Sequence, residues 1–131
     1  MYKVAMEIGD HIWDLVDKWD YFNNYTLGKQ FVKAGDSIAL TIAKGDGRFF
    51  YKEHKNFNYH SRGSAYVCTS CLRKAVKRKL ITKEKNLELR VLFEKYLKLI
   101  NAYIKSIGQS EIKDQKKVTI DLLTNDSMTN D

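Results

Sequence analysis

RFFYKEHKNFNYHSRGSAYVCTSCLRKAVKRKLI, residues 48–81, decides how this chain folds. It contains one interior breaker, Gly63, and no proline. The stretch therefore reads as a single helix about 50 Å long at ~1.5 Å per residue. Phe50, His54, Phe57, Ser61, Ser64, Cys68, Cys71 and Ala75 recur at alternating steps of four and three, the spacing of one helix face. These side chains are small and only partly apolar, which predicts a close approach to another helix. The opposite stripe reads Lys52, Lys55, Tyr59, Arg62, Tyr66, Arg73 and Lys77. Cations interleaved with tyrosines on a wet face suit phosphate contacts and base stacking.

Leu27, Phe31, Ala34, Ile38 and Ile42 mark a preceding helix. Thr26 is its expected cap, and Gly35, Ser37, Ala39 and Ala43 leave room for a close neighbour. Gly45-Asp46-Gly47 is expected to end it through a left-handed turn. Before it, Val4, Ile8, Ile12, Leu15, Trp19 and Phe22 predict a helix over residues 3–22, with Asp10, Asp14 and Asp17 on a solvated face. Asn23-Asn24 reads as the turn between the two. After residue 81, Thr82 is placed to cap a last helix, with Glu84 near its positive end. Leu89, Leu92, Phe93, Tyr96, Leu99, Ile100, Tyr103 and Ile107 form its broad face, flanked by Val91, Leu97 and Ile104. That width exceeds one core and predicts a contact between subunits. Gly108 is expected to end the helix. Residues 109–131 then read as a flexible acidic tail, in which Val118, Ile120 and Leu122 alternate like a short strand and the last residues look disordered.

Four helices with short connections predict an all-α, antiparallel up-and-down four-helix bundle over residues 1–108. The 131-residue length fits one domain that buries a core without metals or disulfides. No apolar run is long enough to cross a membrane. Glu7, Asp10 and Asp14 come too early for a signal peptide, and two cysteines without a leader point to the reducing cytoplasm.

The net charge is +7 and unevenly spread. Residues 1–25 carry −3, and residues 44–85 carry +9 from twelve bases and three acids. A field this concentrated attracts nucleic acid or an acidic protein. The expected phosphate contacts are Lys52, Lys55, Arg62, Arg73, Lys74, Lys77, Arg78 and Lys79, with Tyr59 and Tyr66 for stacking.

The stretch TLGKQFVKAGDSIALTIAKGDGRFFYKEHKNFNYHSRGS, residues 26–64, resembles the four-helix-bundle family of the 23S rRNA intervening-sequence proteins. Gln30, Ala34, Ser37, Ile38, Ile42, Ala43, Gly45, Arg48, Phe57, Gly63 and Ser64 fit its signature. Lys33, Thr41, Lys44 and Val67 stand where that family usually has Arg, Asn, Glu and Glu. The resemblance implies a ring-shaped homopentamer of antiparallel bundles. It also implies nucleic-acid binding of the kind seen in the related accessory variability protein of diversity-generating retroelements.

Motifs of catalysis are weak. Cys68-Thr69-Ser70-Cys71 lies one turn apart inside a helix on the buried stripe, so it reads as core rather than as a redox pair. A zinc site would need more ligands than this pair with His54 supplies. His11, His54 and His60 show no metal-protease spacing and no evident carboxylate partner, and Lys44-Gly45-Asp46-Gly47-Arg48 lacks the spacing of a phosphate loop. The expectation is a non-enzymatic protein without cofactor or metal, cytoplasmic and homo-oligomeric, that binds nucleic acid. The alternative is a structural adaptor that binds a protein partner.

Overall fold

Four amphipathic stripes are buried together only when each helix lies beside two others, and the chain adopts that arrangement. The structure, a computed structural model, describes residues 1–47 and 51–129. Its elements are α1 (Tyr2–Asp17), a short α2 (Tyr21–Asn23), a π-helical turn (Asn24–Gly28), α3 (Lys29–Asp46), α4 (Tyr51–Lys77) and α5 (Lys83–Thr129). The long helices pack in a closed square: α1 on α3, α3 on α4, α4 on α5, and α5 back on α1.

Contact pairs run in opposite senses along each pair of neighbours, so the bundle is antiparallel. Gly35 faces Ile12 and Gly28 faces Val16; Gly45 faces Phe57. Ser61 bonds Tyr96, and His54 bonds Tyr103 further along α5. The core is the expected one on α3 and most of α4: Leu27, Phe31, Ala34, Ile38 and Ile42, then Ser61, Cys68, Cys71 and Ala75, are all buried. On α5, Leu89, Phe93, Tyr96, Ile100 and Ile107 are buried, and so is Ile104, while Leu99 is exposed. α4 passes straight through Gly63, where an added Cβ would meet nothing within 4 Å. Arg48 and Phe50 lie outside the described residues.

The first two helix boundaries depart from expectation. The first helix stops at Asp17 rather than Phe22, and Phe22 is exposed. Trp19 turns inward and its indole Nε1–H donates to the Leu80 carbonyl at 2.9 Å. Asp20, not Thr26, caps the next helical segment: its carboxylate accepts from the Asn23 N–H and, at 2.6 Å, from the Asn23 side chain. Asn23 and Asn24 are therefore helical rather than a turn, and the Asn24 amide reaches back to the Val16 carbonyl at 3.0 Å. Thr26 donates to Phe22 one turn earlier.

At the end of α3 the glycines are not left-handed; Gly47 has φ −82°. Gly45 serves a different need. An added Cβ there would lie 2.9 Å from the Phe57 Cβ, so its bareness permits the close α3–α4 approach. The left-handed residue is Lys79, with φ 58°. Its N–H bonds the Val76 carbonyl at 3.1 Å, and the Leu80 N–H bonds the Ala75 carbonyl at 2.9 Å. That pair of bonds closes α4 in a Schellman motif, a place where glycine is favoured. Lys79→Gly is expected to raise stability by about 1 kcal/mol, because a left-handed L-residue costs ~1–2 kcal/mol and glycine's extra unfolded freedom offsets part of the gain. A higher urea midpoint with an unchanged slope checks this.

Gly108 does not end α5, which continues to Thr129. The expected strand-like alternation at Val118, Ile120 and Leu122 is thus replaced by helix over 109–129. A glycine inside a helix costs only ~1 kcal/mol, and no proline stops the run. Glu111 pairs with Lys55 at 3.5 Å, tying the first turn beyond Gly108 to α4. At its start, α5 has the expected cap: the Lys85 N–H donates to the Thr82 hydroxyl at 3.2 Å.

Candidate nucleic-acid interface

Because α4 is unbroken, its periodicity places the cationic stripe opposite the buried one along the whole described helix. Lys52, Tyr59, Tyr66, Arg73, Lys74, Lys77, Arg78 and Lys79 are exposed, while Lys55 and Arg62 are half-buried. These ten positions are not equivalent. Towards the start of α4 two of the three cations, Lys55 and Arg62, are already engaged. Lys55 pairs with Glu111. Arg62 donates to the Asn101 side chain at 2.8 Å, and its guanidinium lies 5.1 Å from the centre of the Tyr59 ring. That cation–π contact occupies one face of Tyr59, which leaves Tyr66 as the freer ring.

Towards the C-terminal end the picture changes. Arg73, Lys74, Lys77, Arg78 and Lys79 crowd into seven positions, and among the described residues none of them forms an ion pair. Between α4 and α5, Tyr66, Arg73 and Arg90 line a groove of about 480 Å³, together with Glu94. On the other flank, Lys29 and Lys33 of α3 face Lys74 and Arg78 across a second groove. Lys29, Lys33 and Arg90 were not among the expected contacts. Their sequence signal was slight: Lys29 and Lys33 are one turn apart on α3, but only the register of α3 against α4 brings them beside Lys74.

The thiols behave as core. Cys68 and Cys71 are both buried and unbridged. Burial pushes the Cys68 thiol far above its ordinary range and raises Cys71 as well, so neither supplies a ready thiolate. A thiol reagent is expected to label folded protein slowly and unfolded protein at once. Rapid labelling of both cysteines in the native state would contradict their placement.

His54 does have a carboxylate partner, contrary to expectation. Its Nε2 is 3.4 Å from Asp46 and 3.1 Å from the Tyr103 hydroxyl. Burial, then the nearby Asp46 charge, holds the Tyr103 hydroxyl above its usual range. This cluster fastens the end of α3 and the start of α4 to α5. Asp10, Asp14 and Asp17 are exposed on α1, as expected. No described helix is long and apolar enough to cross a membrane.

Comparison with known proteins adds a family and a fold. The sequence model described as 23S rRNA-intervening sequence protein matches residues 1–102. A crystal structure of a protein of unknown function from the S23 ribosomal protein family of Bacteroides thetaiotaomicron VPI-5482 superposes with a TM-score of 0.72 at 18% identity. The match covers 79% of this chain and 97% of that one. No curated protein matches the sequence.

Proposed function

Since the chain belongs to the 23S rRNA-intervening sequence protein family, we propose that it is a non-enzymatic, cytoplasmic protein that binds nucleic acid through the basic face of α4. The observation that carries this reading is the run of five unpaired, exposed cations over residues 73–79. A polyanion gains most from charges that give up no existing partner, because each can neutralise a phosphate and release the cation condensed on it. Tyr66 adds a stacking surface beside them. Lys52 and Arg62 extend the stripe towards the other end of α4.

The working form is a homo-oligomer, and the number implied by resemblance is five. Met6 and Trp13 on α1 and Leu87 and Val91 on α5 are exposed apolar side chains, and a subunit contact would cover them. Repeating a weak basic face around an assembly raises affinity through effective concentration.

Filter binding with mixed RNA and DNA oligomers at low salt tests the reading. Retention is expected; no retention of either polymer rejects it. A pull-down treated with nuclease separates the adaptor alternative, since partners that survive nuclease are held by protein contacts. Mass in solution at low and high salt reports the assembly.

A further inference from the structure

One end of the bundle gathers features that the α4 stripe alone does not explain. Lys29, Gln30 and Lys33 of α3, Lys74 of α4 and Arg78 just beyond its end line a groove of about 580 Å³, together with Tyr25. No carboxylate lines it, and among the described residues none of its four cations forms an ion pair. Four like charges around one concave surface repel each other and focus a positive potential there. An anion relieves that repulsion.

The same end carries an aromatic column. The Tyr21 and Tyr25 rings stack with centroids 5.8 Å apart and planes 12° apart. The Lys29 ammonium lies 5.5 Å from the Tyr25 centroid. Tyr25 thus has Tyr21 from the turn before it and Lys29 from the turn after. Tyr21 is 82% exposed, the most exposed large apolar side chain described, and Tyr25 is 61% exposed. Leaving a flat ring pair in water has no packing benefit to the fold. An unpaired base covers such a ring, whereas a base inside a duplex has no free face to offer.

We propose that this α3–α4 groove takes single-stranded nucleic acid, with one base stacked on Tyr21 and the adjoining phosphates on Lys33, Lys74 and Arg78. The proposal rests on the nucleic-acid reading above and narrows it from any polyanion to an unpaired strand. It also shifts the centre of binding from the exposed face at the C-terminal end of α4 to the junction of α3 and α4.

Fluorescence anisotropy tests it, with a labelled 12-nucleotide oligothymidine or oligouridine and a labelled hairpin duplex of similar charge. The wild-type protein is expected to prefer the single strand. Tyr21→Leu, at an exposed position, is expected to weaken single-strand binding by roughly 5- to 150-fold, the range for one stacked base. It should leave duplex binding and the far-ultraviolet circular dichroism unchanged. Lys33→Ala should weaken both ligands. The proposal is overturned if Tyr21→Leu and Lys33→Ala leave single-strand binding intact while Arg73→Ala with Lys77→Ala removes it. In that case nucleic-acid binding itself stands. If the wild-type protein binds neither ligand, the broader reading falls and this one with it. Polyglutamate displacing the oligonucleotide as well as an equal charge of unlabelled strand would also overturn it, because the groove would then read charge alone.

Discussion

Ser61→Ala is expected to destabilise the protein by about 2–3 kcal/mol, more than its small volume suggests. The Ser61 hydroxyl donates to the Ile38 carbonyl on α3 at 2.7 Å and bonds the Tyr96 hydroxyl on α5. With its one proton committed to Ile38, Ser61 accepts from Tyr96. Three helices therefore meet at one oxygen, and Ser61 and Tyr96 are each 0% exposed. Removing the serine hydroxyl leaves the Tyr96 O–H buried without an acceptor, which costs the desolvation of that group in addition to the lost bonds. Tyr96→Phe removes the stranded donor and is expected to cost only ~1 kcal/mol. The double variant should be clearly less damaged than the sum of the two, as groups in one network are coupled. Urea denaturation of the four proteins measures this. Strict additivity would contradict the network.

The same buried hydroxyl sets a pH limit. Burial pushes the Tyr96 hydroxyl up to about 12, against ~10 for tyrosine in an unfolded chain. The folded state thus holds its proton longer than the unfolded state does. The associated stability is whole below pH ~10 and is lost as pH rises towards 12. The melting temperature of the wild-type protein should fall faster over that window than that of Tyr96→Phe.

Gly28→Val is expected to cost about 2–3 kcal/mol through overpacking. Gly28 closes the π-helical turn where α3 meets α1. A Cβ there would lie 2.6 Å from Val16 Cγ1, 3.2 Å from the Asn23 carbonyl oxygen and 3.4 Å from Trp19 Cε3. Each neighbour is held. Val16 is buried, the Asn23 contact is backbone, and Trp19 is tied by its indole to Leu80. The valine's further methyls add to a contact that is already too short. Gly63→Ala is the matched control. Its Cβ meets nothing within 4 Å, so it should stabilise by up to ~1 kcal/mol through helix propensity. Opposite signs at these two glycines would show that helix approach, not glycine content, sets the tolerance; equal losses would contradict the packing.

The core was legible because periodicity reports burial directly. Phe31, Ile38, Cys68 and Ala75 could be placed by counting, and the continuity of α4 through Gly63 followed from the lack of any other breaker. Features set by distant residues were hidden. The break at Asp17 depends on Trp19 finding Leu80, 61 positions away. The left-handed residue fell on Lys79 rather than on a glycine because the Ala75–Leu80 closure fixes the backbone there. The α5 helix outruns Gly108 partly through Lys55 and Glu111, a pairing no local pattern announces. The candidate interface was half legible: the basic run of α4 is plain in the sequence. Which of its charges are engaged, and that Lys29 and Lys33 join them, depends on the register between helices.

The most direct test of the account is the salt dependence of oligonucleotide affinity for the wild-type protein and for the Arg73→Gln/Lys77→Gln variant, measured between about 50 and 400 mM KCl. Each phosphate contact contributes a slope of ~0.7–0.9 in log affinity against log salt. If the unpaired cations of α4 hold phosphates, the variant's slope is shallower by roughly 1.4–1.8, with its circular dichroism unchanged. An identical slope for the two proteins would contradict the assignment of the outer face of α4, at Arg73 and Lys77, as the polyanion surface.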